Sequence, residues 1–390
     1  MTIRVISLAH TIWSERWLNR QQLLSRIGRE VPVVYSNGCW FTWDRHGGDW
    51  RRAGWRGGFK RIDNVWLDEV PRWLMRSPRL GHLDGASLAI QARRWRRQLA
   101  RHGDGPLILH LFHPAFVDYV DAVSPDAVVY QPYDLLEAMP GWTPEQEAQE
   151  RRLLARADEV IASSAPTVRR LAAKSGRPVK QVENGVDFAH FERARSLDVP
   201  EPQSLARIPH PRIGYVGSLH PVVDFGMFAA MAQRRPDWHF VLIGGQSPRF
   251  DERMARDLDA CRKQPNVHFL GMQPLQDMPA YMLHMDVNTI CWHVGEGSWG
   301  DAAYPLKLQE YLATGRPVIS SALESVRAFS HVVRLADGVD DWEQAVIEVL
   351  AGQAPGNAEQ RVAIASQNSW DSRAAELLKI LKGAAGRVGA

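Results

Sequence analysis

The stretch YPLKLQEYLATGRPVISS, Tyr304–Ser321, packs a lysine, a glutamate and a glycine turn into one short helix-to-strand unit. Pro305 stands where a helix can begin without losing a needed amide donor. Leu306, Leu308 and Leu312 are spaced to face a core, while Lys307 and Glu310, one turn apart, share another face. Gly315 ends the helix, and Pro317, Val318 and Ile319 open a buried strand. A helix N-terminus carries about half a positive charge, so with a lysine beside it the site attracts a diphosphate. A carboxylate one turn on can accept the hydroxyl protons of a ribose. The same spacing also describes an amphipathic helix with one solvated ion pair, and spacing alone leaves both readings open.

Outward from this unit, apolar runs alternate with amphipathic stretches. IRVISLA, VPVVYSN, PLILHLF, AVVYQPY and EVIASSA read as buried strands in the first half, separated by helical patterns such as residues 14–29 and 145–157. RIGYVGS, WHFVLIGG, NVHFLG, DVNTICW, RPVISSA and HVVRLAD repeat the scheme in the second. The alternation predicts an α/β chain of two doubly wound, parallel-sheet (Rossmann-like) domains. Asn184–Gly185 and the prolines of Val199–Pro211 mark the boundary, which divides the chain into 1–188, 189–368 and a terminal helix, 369–390, that packs back on the first domain.

The length of 390 residues suits two cores, and 45% hydrophobic with 23% charged residues suits a globular chain. No apolar run approaches the roughly 18 residues of a membrane span. The first residues read as a strand rather than a cleavable leader, so a cytoplasmic protein is expected. Cys39, Cys261 and Cys291 have neither disulfide nor metal-binding spacing, and no metal or resident cofactor is expected.

Charge is uneven: Arg45–Arg101 holds 14 Lys and Arg against 5 Asp and Glu, with five tryptophans. Residues 86–101, ASLAIQARRWRRQLAR, form a basic amphipathic pattern that suits either an anionic membrane surface or a helix packed on the first sheet with a solvated arginine face. No zinc spacing, recognition helix or aromatic sheet motif supports a nucleic-acid partner.

Open parallel sheets bind ligands beyond the carboxyl ends of their strands, which draws attention to Gly217, Ser218, Gly244, Gly245, Gly271, Met272 and the loop 293–304. No GxGxxG follows the first strand and no GxxxxGK[ST] occurs, so nucleotide binding needs another scheme. The succession VENGVD, RIGYVGSL, WHFVLIGG, NVHFLG and YPLKLQEYLATGRPVIS resembles the donor-binding half of GT-B glycosyltransferases, most similar to family 4 and its bacterial polysaccharide-assembling relatives. The likeness covers about residues 180–350 and extends to the first half only in general pattern.

The resemblance implies two domains facing a cleft and a nucleotide-diphosphate sugar, a UDP-sugar first, as donor. Glu310 then accepts hydrogen bonds from the ribose and Lys307 meets the diphosphate. Pro305 and Leu306 present backbone amides to the phosphates, Gly271 and Met272 lie against the base, and Gly217 and Ser218 let the first loop approach closely. Ser218 and Val223 stand where many relatives have Arg and Lys, and Ala302 where many have a sugar-contacting glutamate; Asp301 is a candidate substitute.

For acceptor activation, Asp134, after the strand AVVYQPY, is a candidate base or a helix cap. His113, with His110 and His10, is a candidate for orienting sugar or acceptor, or a structural histidine. The expected function is transfer of a sugar to a saccharide or lipid-linked acceptor in cell-surface or exopolysaccharide assembly, peripherally at the inner membrane face. The alternatives are a nucleotide-sugar 2-epimerase and a non-catalytic binding paralogue.

Overall fold

The computed structural model describes residues 2–13, 17–78, 81–247, 251–295 and 299–386. Two compact units result, 1–183 with 371–390, and 184–370. Within the loop 293–304, residues 296–298 lie outside the described residues, as do 14–16 of the first helical pattern.

Unit 1 contains β1 (Arg4–Leu8), β2 (Val33–Ser36), β3 (Trp40–Phe41), β4 (Gly58–Ile62), β5 (Val65–Glu69), β6 (Met75–Arg76), β7 (Leu107–Leu111), β8 (Ala127–Tyr130), β9 (Glu159–Ala162) and β10 (Lys180–Gln181). Eight of these make one sheet in the order β10-β9-β8-β7-β1-β2-β5-β4, parallel except for the β4–β5 hairpin. Asp63 and Asn64, both at positive φ, make the hairpin's two-residue turn. β3 and β6 pair separately.

Unit 2 contains β11 (Arg212–Val216), β12 (His239–Ile243), β13 (Val267–Gly271), β14 (Val287–Ile290), β15 (Val318–Ser321) and β16 (Arg334–Ala336). Their order, β13-β12-β11-β14-β15-β16, is wholly parallel and reverses direction at β11 and β14. That reversal opens a crevice at the carboxyl ends of these two strands, the usual ligand position in such sheets. In unit 1 the corresponding reversal lies at β1 and β7.

The crossing between units falls at 183/184 and 370/371 rather than at 188/189 and 368/369. Asn184 donates its side-chain amide to Tyr304 O (2.9 Å), and Val186 bridges Ser369, which ties both crossings to unit 2. Beyond it, the helix Trp370–Gly386 buries Leu377, Leu378 and Leu381, and Asp371 meets Arg26 at 3.0 Å within unit 1.

The helix Gly81–Ala100 packs the apolar stripe of residues 86–101 into the unit 1 core, as the packed-helix reading expects. Leu88, Ala92, Trp95 and Leu99 are all buried in the unit 1 core, and Trp95 Nε1 donates to Asp68 (2.7 Å). Arg94 pairs with Asp68 at 3.1 Å and Arg96 donates to Val123 O at 2.6 Å. The apolar stripe is therefore spent on the protein's own core, and the outward face carries Arg93, Arg96 and Arg97 together with the exposed Leu83 and Ile90. No helix among the described residues is long and apolar enough to cross a membrane.

Candidate functional site

In unit 2 the helix Leu306–Thr314 starts after Pro305, and Gly315 closes it at φ +74°. Leu308 and Leu312 are fully buried, but Leu306 is half-buried, and Lys307 turns inward. The Lys307 ammonium sits 3.8 Å from the centre of the Tyr215 ring on β11 and 5.2 Å from that of Trp292, just after β14. It thus occupies the crevice where the strand order reverses. Aromatic faces attract a cation, but they do not replace a carboxylate.

Lys307 and Glu310 come from one helix turn and make no ion pair within 4 Å with each other or with another described residue. Burial pushes the Lys307 ammonium down to about 7, Glu310 opposing it. Burial likewise pushes the Glu310 carboxyl up to about 7 against the pull of Lys307. Two buried ionisable groups without bonded partners at the carboxyl end of a sheet mark a candidate ligand site.

Gly217 leads out of β11 at φ +145°, and a Cβ there would stand 2.8 Å from Lys307 Nζ. Gly244 is held more tightly, its hypothetical Cβ 1.9 Å from Gly217 O. Ser218 follows with its carbonyl accepting from Tyr215 OH (3.2 Å). Gly271 ends β13 at φ +66°, and Met272 beside it is 77% exposed. Pro305 needs correction as an amide donor, because a proline nitrogen bears no hydrogen. The N–H groups without intrahelical acceptors are those of Leu306 and Lys307. Asp301 Oδ1 accepts from Glu324 N–H at 3.3 Å, and Ala302 is buried.

In unit 1, His10 follows β1 and His113 follows β7, and they meet at the reversal with His10 Nε2 3.1 Å from His113 Nδ1. Ala115 N–H also donates to His113 Nδ1 (3.2 Å), so the ring helps cap the short 3-10 helix Pro114–Phe116. Nδ1 is an acceptor, and the proton of the neutral ring sits on Nε2. Burial, then His10, pushes His113 down to about 3, which suits donation of a hydrogen bond rather than proton uptake. His110 is a core residue between Ser7 and Gln131.

Asp134 caps nothing: the 3-10 helix Leu136–Ala138 starts two residues later, with Leu135 in its N-cap position. Burial pushes its carboxyl up to about 7, while Arg20 pulls it back. Arg20 was not singled out by sequence. It is buried, donates to Thr11 Oγ1 (2.6 Å), and lies 4.8 Å from the Tyr133 ring centre and 5.8 Å from that of Phe112. Its Nε has no partner. The readable signal was spacing, since Arg20 precedes Leu23 and Leu24 by one turn and shares their inward face. Tyr215 and Trp292 were also missed, because a ring in or after a buried strand reads as core.

Among the described residues one set of carboxylates, Glu137, Glu147 and Glu150, lies close enough to share a cation. Lys174 Nζ already fills that position, 2.8 Å from Glu147, 2.6 Å from Glu150 and bonded to Glu137.

Residues 210–352 match the model of the family described as Glycosyl transferases group 1. A Bacillus subtilis (strain 168) protein that carries the name of a teichuronic acid biosynthesis glycosyltransferase, TuaH, is 30% identical over 182 residues. That match spans 46% of this chain and 44% of the relative, less than half of either. Anabaena HepE, solved with UDP and glucose, shares the fold at TM-score 0.66 and 16% identity over 97% of this chain and 99% of its own. The UDP-forming α,α-trehalose-phosphate synthase of Burkholderia vietnamiensis does so at TM-score 0.69 and 12% identity over 100% and 99%. Residues 210–352 thus form a glycosyl transferases group 1 domain, in a chain with the fold of the GT-B glycosyltransferases.

Proposed function

We propose that the protein transfers a sugar from a nucleotide-diphosphate donor, a UDP-sugar first, to a saccharide or lipid-linked acceptor in cell-surface polysaccharide assembly. The observation that carries the reading is the unpaired Lys307 ammonium on the Tyr215 ring at the strand reversal of unit 2. A diphosphate arriving there supplies the missing anion, and the free Leu306 and Lys307 amides add to the same field. Glu310, one turn along, accepts ribose hydroxyls. Gly217 and Ser218 line the approach to the diphosphate, and Gly271 and Met272 the base. The UDP in solved HepE and the polysaccharide named for the Bacillus relative support the donor and acceptor classes.

In this reading no metal is required, since Lys307 and the amides stabilise the leaving diphosphate. Asp134, held near neutrality, is the base if the reaction inverts the anomeric centre, and His113 Nε2–H orients the sugar or acceptor. The place of action is the cytoplasmic face of the cell membrane.

The test measures nucleotide release from a panel of UDP-, GDP- and ADP-sugars with membrane-extracted acceptors, in wild type, Lys307→Met and Glu310→Gln. Turnover that both variants lose while folded supports the reading. Free epimer formed without acceptor would replace it with the epimerase, and full activity in both variants would remove the site assignment.

A further inference from the structure

With the apolar side of the helix Gly81–Ala100 committed to the core, the tryptophans around β3 and β6 remain. Trp43 is 62% exposed, Trp55 67% and Trp73 48%, although tryptophan is ordinarily well buried. They belong to one small substructure. Phe41 on β3 pairs with Arg76 on β6, and the Trp43 ring stacks on Phe41 with centres 4.5 Å apart and planes at 8°. Trp73 Nε1 donates to Trp55 O (3.0 Å), and the Arg72 guanidinium lies 5.3 Å from the Trp55 ring centre and 5.6 Å from that of Trp50. A backbone bond from Arg72 N to Gly54 O (3.0 Å) and a side-chain bond from Arg72 Nε to Ala53 O (2.9 Å) hold the cluster together. Its rings are therefore presented, not merely left outside.

Around them, over residues 42–56, four arginines stand against two aspartates. Arg45, Arg51, Arg52 and Arg56 are exposed. Of the two acids in residues 42–56, Asp44 accepts from Phe41 N–H (2.6 Å) and Asp49 pairs with Arg52. Residues 42–56 contain no Asn, Gln or Glu, the groups that would hydrogen-bond a sugar lying on an aromatic platform. Indoles with a polar edge and an apolar face, ringed by guanidinium groups, match the interface of a bilayer with anionic headgroups.

We propose that the surface bearing Trp43, Trp55 and Trp73, with Arg45, Arg51, Arg52 and Arg56, seats the protein on an anionic membrane. This deepens the function above and rests on it for the lipid-linked acceptor. Insertion of the indoles supplies the apolar contact, and the arginines select anionic lipid.

Flotation of the full chain with vesicles rich in phosphatidylglycerol, against pure phosphatidylcholine, tests it. The wild type is expected to float with the anionic vesicles at low salt and to be released as salt rises. Trp43→Ala/Trp55→Ala/Trp73→Ala should reduce the bound fraction about tenfold, and Arg45→Gln/Arg51→Gln/Arg52→Gln/Arg56→Gln should flatten the salt dependence. Both variants should keep the wild-type melting temperature and UDP-induced thermal shift, so a failure to bind lipid is read apart from a failure of the donor site. Quenching of wild-type fluorescence by brominated phosphatidylglycerol checks insertion without any substitution. Absence of flotation or of quenching overturns the proposal. So does loss of flotation in Arg93→Gln/Arg97→Gln/Arg101→Gln with retention in the tryptophan variant. Quenching by neutral oligosaccharide without flotation assigns the surface to a glycan and overturns it too.

Discussion

The Lys307 ammonium rests 3.8 Å from the centre of the Tyr215 ring, and this pair joins the helix that follows β14 to the strand that opens unit 2. An ammonium without a carboxylate, buried on an aromatic face, is held at a cost that a bound anion can reverse. The site around Lys307 is therefore incomplete as a set of charges.

Lys307→Met should separate binding from stability. Replacing the ammonium with an apolar chain of similar length removes the charge that meets the diphosphate, and UDP affinity should fall by about 10- to 100-fold. Because the folded ammonium titrates near 7 and the unfolded one near 10.4, the charged form opposes folding most strongly below pH 7. The variant should then be more stable by on the order of 1–3 kcal/mol at pH 6, with the gain shrinking above pH 7. Calorimetric UDP titration and thermal melts across pH check both parts.

Donor affinity should peak near neutral pH. Binding a UDP-sugar raises the Lys307 pKa from about 7, so a proton is taken up above that pH and affinity falls as pH rises further. Ribose binding needs ionised Glu310, which also starts near 7, so affinity falls again as pH drops. The UDP-sugar diphosphate does not itself titrate there, which makes it the right probe. Lys307→Met should lose the alkaline limb and Glu310→Gln the acid limb, read by titration in buffers of different ionisation enthalpy.

Two glycines should respond differently to alanine. At Gly217 the new methyl meets the far end of a flexible lysine, so Gly217→Ala displaces Lys307 and weakens UDP binding with a moderate stability loss, about 1–2 kcal/mol for the strained φ. At Gly244 the methyl runs into the Gly217 backbone, which cannot yield without moving β11, so Gly244→Ala should be the more destabilising. Denaturant melts and UDP titration of the two variants distinguish these outcomes.

Asp134→Asn should stabilise the protein at neutral pH while reducing turnover. Its carboxyl is pushed up to about 7 by burial, so the ionised form opposes folding. The penalty is absent below the unfolded value near 3.9 and grows until pH 7, and it stays constant above. A gain of on the order of 1–3 kcal/mol at pH 8 that vanishes by pH 4, with turnover lowered at least tenfold, is the expected result.

Eleven of the apolar runs read from the sequence are strands, because a buried parallel strand needs an unbroken apolar segment and such segments are visible one residue at a time. β4, β5 and the short β3, β6 and β10 escaped notice. β4 mixes exposed basic residues with Phe59, β5 mixes Asp68 and Glu69 with Trp66, and both draw their order from pairing, while the others are only two residues long. The residues that bracket the donor site were partly legible: Lys307, Glu310 and Gly217 could be named from local pattern. Arg20 could have been, from its place on the inward face of the first helix.

The sequence by itself determined two parallel α/β units, the helix Leu306–Thr314 with its glycine stop, and the segment in which basic and tryptophan residues gather. Each is a matter of local periodicity, turn chemistry or composition. Tertiary structure alone decided that Lys307 points inward onto Tyr215 rather than outward beside Glu310. It also decided that the arginine-rich helix spends its apolar side on the core and that Trp43, Trp55 and Trp73 stay exposed. The reason is physical: which face of a helix is buried, and which ring finds a partner, depends on elements far away in the chain. The topology β13-β12-β11-β14-β15-β16, which brings β11 beside β14, is what sets Tyr215, Trp292 and Lys307 around one crevice.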